Sequence, residues 1–280
     1  MYIDVIGEVQ HTRVNAGDTL LDIARRHDLG QDEILLANPG VDRWLPDAGT
    51  AILLPHRYII PKAKRTGLVL NVPEMRLYYF PEVGLGKLPV VITHPVSIGR
   101  MDWRTPLGNT QVIAKQINPA WYPPVSLRRE ATASGNALPD VVKPGPDNPL
   151  GRYAIRLGIP GYLIHSTNKP YGVGMRVTHG CVRMYPEDIE TLFDEVPVGT
   201  PVQIINQPIK VGWLGTTLYL EVHSPLAEDT EKYGNIMQMA LDAIADAISG
   251  KNIKYRVMLR DSVIKTAIEE HTGIPVVISR

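Results

Sequence analysis

The chain has 280 residues, with 29 lysines and arginines balanced by 29 acidic residues, and a single cysteine. That length allows one large domain or two to three small ones. The balanced charge offers no basic footprint for nucleic acid, one cysteine excludes an intrachain disulfide, and no apolar run approaches a membrane span. Glycine and proline number 24 each and aromatic residues are few, which favours short strands joined by turns over a helical bundle. Met1-Tyr-Ile-Asp4 is a poor start for a signal peptide. An exported protein of this sequence would therefore be a mature or trimmed form, and its unpaired cysteine would be a flag for a reactive thiol.

The first predicted domain is 1–58. Residues 9–14 read as a strand, and Gly17-Asp18-Thr19 is a turn whose Asp18 or Thr19 caps a helix. Leu20, Ile23, Ala24 and His27 fall on one helical face. A second short helix near 32–37 ends at Asn38-Pro39-Gly40, which is turn chemistry, and residues 51–54 close the unit as a strand. This β-α-α-β order, with Ala16-Gly-Asp-Thr-Leu-Leu-Asp-Ile-Ala24 and Ile34-Leu-Leu-Ala-Asn-Pro39, resembles a LysM module. The resemblance implies binding to N-acetylglucosamine-containing glycan; the alternative is a packing domain without sugar affinity. Residues 55–64, with two prolines and a basic run, read as a linker.

The second predicted domain is 59–206. Residues 67–72 and 75–80 read as a hairpin around Pro73-Glu74, and 88–92, 96–99 and 110–115 as further strands. The set predicts a mostly antiparallel, β-rich sandwich or barrel. Residues 118–150 hold seven prolines. A long irregular segment of this kind is often a functional lid, and Trp121 and Tyr122 would form its apolar wall over a substrate cleft. A plain surface insertion is the alternative.

Strands at 152–157 and 162–164 follow, and the second delivers His165 to its tip. After a short loop with Gly172 and Gly174 comes Thr178-His-Gly-Cys-Val-Arg-Met184, which holds the only cysteine. The thiolate is the reacting form of a thiol, so a useful cysteine needs a base or positive charge nearby. His165, His179 and Arg183 all lie close to Cys181 in sequence. Pro186-Glu-Asp188 opens a helix with proline near its first position and acids in its first turn; Ile189, Leu192, Phe193 and Val196 form its buried stripe. Residues 201–205 are a closing strand.

The third predicted domain, 207–280, reads as a small α+β unit: a strand at 218–222, helices at 236–248 and 261–270, and a terminal strand at 275–279. It carries no chemical motif. The fold class is thus mainly β, with α+β modules flanking a β-rich catalytic domain.

The segment Thr178-His-Gly-Cys-Val-Arg183, with His165 at the end of an apolar strand, resembles the active-site signature of the YkuD-type L,D-transpeptidases, enzymes that remodel bacterial peptidoglycan. Leu77-Tyr-Tyr79, Ser97-Ile-Gly99 and Thr105-Pro-Leu-Gly108 also match the family. Asp147-Asn-Pro-Leu150 and Val196-Pro-Val-Gly-Thr200 extend the likeness toward the Braun-lipoprotein-attaching subgroup. The resemblance implies Cys181 as nucleophile, His165 as base, Ser166 as the neighbour that orients the imidazole through its carbonyl, and the amides of Gly180 and Cys181 as oxyanion donors. Arg183 would hold a substrate carboxylate, His179 would shape the oxyanion site or bind substrate, and Thr178 would steady the turn. For Ser166, Arg183 and His179 the plain alternative is a structural role. Many relatives carry asparagine in place of Arg183, and the interval from His165 to Thr178 is shorter than in the Bacillus form.

The implied partners are peptidoglycan stem peptides and glycan, Braun-type lipoprotein and carbapenem inhibitors, and the implied location is the periplasm. No cofactor or metal is required. Three rivals remain: a zinc hydrolase using His165, His179 and Cys181, though without a His-Glu-x-x-His segment or paired cysteines; a non-catalytic wall-binding protein; and an L,D-carboxypeptidase or amidase on the same scaffold.

Overall fold

A computed structural model describes residues 3–84, 86–250 and 257–280. Near its start, strands β1 (Val5–Ile6) and β2 (Gln10–Arg13) precede helices α1 (Leu20–Arg26) and α2 (Gln31–Ala37) and strand β3 (Ala51–Leu54). β2 and β3 pair antiparallel, Gln10 opposite Leu54. Thr19 caps α1 in a capping box: its hydroxyl accepts from the Asp22 amide at 3.1 Å, and the Asp22 carboxylate accepts from the Thr19 amide at 2.9 Å. The apolar face thus fixed, Leu20, Ile23 and Ala24, packs with Leu29, Ile34 and Ile52 into a small core of its own.

The stretch read as a linker is instead buried structure. Strand β4 (Tyr58–Ile59) pairs antiparallel with β1. Ile59 donates its amide to Glu221 Oε2 at 2.6 Å and its carbonyl accepts from Lys210 Nζ at 2.8 Å. Pro55 and Pro61 flank the pair without interrupting it, and the intervening Tyr58, Ile59 and Ile60 are the buried residues that outweigh the basic run. Asp4 likewise donates its amide to the Trp213 carbonyl at 2.8 Å, so the start of the chain packs on the third unit.

The central unit contains β5 (Gly67–Asn71), β6 (Arg76–Phe80), β7 (Ile92–Pro95), β8 (Ile98–Gly99), β9 (Gly108–Ile117), α3 (Val125–Ala133), β10 (Tyr153–Leu157), β11 (Leu163–His165), β12 (Arg176–Thr178), β13 (Val182–Arg183), α4 (Pro186–Glu195) and β14 (Pro201–Ile205). Eight of these strands form one sheet in the order β13-β11-β10-β9-β14-β5-β6-β7, with β8 and β12 paired separately. Within the eight-stranded sheet the β11–β13 and β14–β5 pairs are parallel and the others antiparallel, and β8 and β12 also pair parallel. One face of the sheet buries Leu68, Leu77, Ile155, Ile164 and Val182 against Ile189 and Leu192 of α4. Fully burying a side chain of this size is worth about 1.5–3 kcal/mol, so this face anchors the strands that carry the site.

Two local expectations are corrected here. The strand expected at 88–92 begins only at Ile92; Leu88 is exposed and Pro89 offers no amide for a ladder. The segment 118–150 is not irregular throughout, because α3 lies inside it. None of the α3 residues is buried, so no apolar periodicity announces the helix; Pro124, just ahead of it, sets its start.

The third unit holds β15 (Ile209–Leu214), β16 (Thr217–Val222), a short α5 (Thr230–Tyr233), α6 (Ile236–Ser249), α7 (Asp261–Glu270) and β17 (Val276–Val277), with sheet order β15-β16-β17. β15 went unforeseen. Its Lys210 is almost wholly buried, paired with Glu74 Oε1 at 2.8 Å and Glu221 Oε1 at 2.6 Å. A charge inside a strand breaks the apolar reading, yet these carboxylates and the Ile59 carbonyl satisfy it. Among the described residues no helix is long and apolar enough to cross a membrane.

Candidate active site

The parallel pairing of β11 with β13 brings the histidine and the cysteine segments together. Ile164 lies opposite Val182 and His165 opposite Arg183. Side chains alternate along a strand, so with Ile164 and Val182 in the core, His165 and Arg183 face the other side, and Cys181 enters β13 on that same side. The Cys181 thiol donates to the Gly161 carbonyl at 3.6 Å, and the Leu163 amide lies near enough to the sulfur to favour its charged form. This is contact with the strand that carries His165.

His165 is buried, and its Nδ1 donates to the Ser166 carbonyl at 2.6 Å. That bond sets the tautomer and leaves Nε2 unprotonated. Burial, reinforced by the nearby Arg183 charge and opposed by the Ser166 carbonyl, pushes the imidazole down to about 4. Burial also pushes the Cys181 thiol up, against the Leu163 amide and Arg183. The resting pair is a neutral thiol and a neutral imidazole.

The turn between β12 and β13 is held from several directions. Thr178 Oγ1 donates to the Cys181 carbonyl at 2.6 Å. Thr105 Oγ1 donates to the Gly180 carbonyl at 2.9 Å and accepts the Gly99 amide at 2.9 Å. Gly180 has φ +99°, and a Cβ there would stand 2.7 Å from Tyr162 Cε1. Only glycine fits both constraints. Among the described residues, neither the Gly180 nor the Cys181 amide donates to a protein acceptor. Thr105 and Tyr162 were not singled out as site residues from sequence. Their signals, a turn threonine and a strand tyrosine, are too common to single out.

Arg183 is half-buried. Its backbone bonds reciprocally with Ser97, while its Nε is buried without a hydrogen-bond partner. Burial lowers its pKa, and among the described residues no carboxylate is paired with it. His179 stands edge-on to Trp103, with ring centroids 5.3 Å apart, and its Nε2 lies 3.7 Å from Glu130 Oε2. Burial and Arg100 depress its pKa, and Glu130 opposes them. Glu130 belongs to α3 and also pairs with Arg100. The 118–150 segment thus meets the site through an acidic residue that sequence reasoning missed. Trp121 bridges backbone to Val142, and Tyr122 is exposed; among the described residues neither bonds to or stacks on Cys181, His165 or His179.

Among the described residues, the groups near enough to share a metal ion are Asp28–His94–Asp188 and Glu74–Glu221–His223. Cys181, His165 and His179 belong to neither.

Residues 65–204 match the YkuD family, described as the L,D-transpeptidase catalytic domain. The chain is 38% identical over 282 residues to "Probable L,D-transpeptidase YcfS" of Escherichia coli K12, covering 99% of this chain and 85% of the relative. It is 38% identical to the E. coli K12 protein named "Probable L,D-transpeptidase YbiS", with 97% and 88% covered. "Probable L,D-transpeptidase ErfK/SrfK" of Salmonella typhimurium is 39% identical over 270 residues, with 95% and 84% covered.

Proposed function

The chain belongs to the YkuD family of L,D-transpeptidases, and on that premise we propose how its residues carry the acyl transfer. Cys181 is the nucleophile and His165 its base. The observation that carries this assignment is the 2.6 Å bond from His165 Nδ1 to the Ser166 carbonyl, which leaves Nε2 as a free acceptor on the strand face shared with Cys181. Nε2 takes the thiol proton as sulfur attacks the amide carbonyl between meso-diaminopimelate and the terminal D-alanine of a tetrapeptide stem. The tetrahedral oxyanion is met by the amides of Gly180 and Cys181, preorganised donors of the kind that lower acyl-transfer barriers most. The carbon–nitrogen bond breaks, the imidazolium returns its proton to the departing D-alanine amine, and a thioester remains. An acceptor amine then attacks the thioester, its carbon–sulfur bond breaks, and the proton shed by the amine passes through His165 back to the thiol.

Arg183, with an unpartnered Nε beside the nucleophile, holds a substrate carboxylate. His179 and Thr178 shape the turn around the bound stem, and Trp121 and Tyr122 flank the base of the segment that bears α3. The acceptor is diaminopimelate of a second stem or the terminal lysine of a Braun-type lipoprotein, which places the enzyme in the periplasm. The βααβ unit is a LysM-like glycan reader that holds the enzyme on its polymer, within the division 1–58, 59–206 and 207–280. A carbapenem acylates Cys181.

The test is intact-protein mass spectrometry after carbapenem treatment, followed by muropeptide analysis with purified tetrapeptide stems. The parent is expected to gain the inhibitor's mass and to form amine-linked products; Cys181→Ala should do neither. A folded parent without an adduct would overturn the assignment of Cys181. Release of D-alanine without amine-linked product would make water the acceptor and the enzyme a carboxypeptidase.

A further inference from the structure

Outside the catalytic residues, three donor groups from distant parts of the sequence converge at one seam. Asp28 follows α1 with φ 52°, His94 lies on β7, and Asp188 sits in the first turn of α4. Their ligand atoms all lie within 4.8 Å of one another. His94 Nδ1 is 3.2 Å from Asp28 Oδ2 and 3.5 Å from Asp188 Oδ1. His94 is only 9% exposed, and its Nδ1 has no hydrogen-bond partner of acceptable geometry; the same holds for the buried Asp28 Oδ1 and Asp188 Oδ2.

Two carboxylates this close in a largely buried place repel each other and call for a cation. In the metal-free protein an imidazolium supplies one, since against burial Asp188 and Asp28 push the His94 imidazole up to about 9, but 3.2 and 3.5 Å are long for charge-assisted hydrogen bonds, which run at about 2.7–2.9 Å. The spacing suits another arrangement. Tetrahedral bonds of about 2.0–2.2 Å to nitrogen and oxygen put neighbouring ligand atoms roughly 3.3–3.6 Å apart. Two carboxylates and a neutral imidazole also balance a divalent charge.

We propose that Asp28, His94 and Asp188 form a structural site for a divalent cation, with Zn2+ the best match to one imidazole and two carboxylates at this spacing. Water completes the tetrahedron. The site joins the βααβ unit to the catalytic unit at an edge strand and at the helix that directly follows the nucleophile turn. Other contacts follow the same seam: Arg25 pairs with Glu187 at 2.7 Å, Tyr185 Oη donates to the Leu29 carbonyl at 3.0 Å, and the Gln31 amide donates to the Val173 carbonyl at 2.9 Å. A cation there staples the polymer-facing unit to the support of Cys181.

The experiment uses the full chain as Cys181→Ala, so that the thiol cannot capture metal. Zn2+ binding is measured by calorimetry, Co2+ substitution by visible absorption, and stability by thermal melting. One equivalent is expected to bind, and the melting temperature should rise by roughly 5 °C at a hundredfold excess over Kd. Adding His94→Gln or Asp28→Asn should abolish both effects while the metal-free melting transition stays cooperative; Asp28 is part-exposed, so its variant is the gentler of the two. Failure of the Cys181→Ala protein to bind Zn2+ or Co2+ would overturn the proposal and leave an ion pair only. Unchanged binding in the two folded variants would overturn it as well, by locating the metal elsewhere.

Discussion

The resting protonation state of the catalytic pair can be measured directly. His165 is held down to about 4 and Cys181 above its ordinary 9.0. Moving the proton from sulfur to nitrogen therefore crosses at least about 5 units, about 7 kcal/mol at 1.36 kcal/mol per unit. Attraction between the resulting charges returns about 4 kcal/mol at contact for an effective dielectric constant of 20. The neutral pair remains favoured by at least about 3 kcal/mol, and an isolated thiol of this acidity is about 1% thiolate or less at pH 7. The perturbation is a pH series of iodoacetamide alkylation on the parent and on Arg183→Met. The parent rate should climb tenfold per pH unit through neutrality and past pH 9 with no earlier plateau. Arg183→Met removes the cation that favours thiolate, so its thiol should titrate higher still. A plateau of reactivity beginning below pH 7 in the parent would mean a resident thiolate–imidazolium pair and would refute this reasoning. In the neutral pair, proton transfer is driven by attack on the substrate carbonyl, where the oxyanion donors are waiting.

Gly180→Ala forces a Cβ to within 2.7 Å of Tyr162 Cε1 at a φ of +99°; displacing an oxyanion donor should slow acylation by about 10²–10³, and a rate within a few-fold of the parent would discount the turn's role. Glu33 pairs with Arg76 at 2.6 Å, and Arg76 is almost wholly buried. Glu33→Ala strands that guanidinium and should cost about 3–5 kcal/mol in urea unfolding, with partial recovery when Arg76→Met is added. His165 also gives stability a pH dependence. Its pKa is depressed on folding, so between 6.5 and about 4 the unfolded chain binds the proton first and stability falls on acidification. The loss approaches about 3 kcal/mol below pH 4, and equilibrium unfolding of His165→Gln should lack that slope.

By itself the sequence specified many of the local elements and singled out a candidate reactive pair. Thr19 ahead of Leu20, Ile23 and Ala24 specifies a capped helix, because capping and a 3.6-residue period are properties of neighbours in the chain. Pro186 with Glu187 and Asp188 specifies the start of α4 for the same reason. A lone cysteine between His179 and Arg183, with His165 ending an apolar strand, pointed to acyl-transfer chemistry through its resemblance to the YkuD signature. Where local signals were weak or misleading, the expectations failed. Helix α3 buries nothing and so shows no period, and β4 and β15 carry charge or flank prolines that read as surface.

Tertiary structure alone decided which groups meet. Ile164 and Val182 sink into one core, and it is their parallel register that turns His165, Arg183 and Cys181 to a common side. Glu130 reaches His179 across 49 residues of sequence, and Asp28 and His94 reach Asp188 from still farther. Burial, too, is a property of the assembled core. The same imidazole would titrate near 6.5 in water, and it becomes a neutral base because the surrounding strands exclude solvent from it.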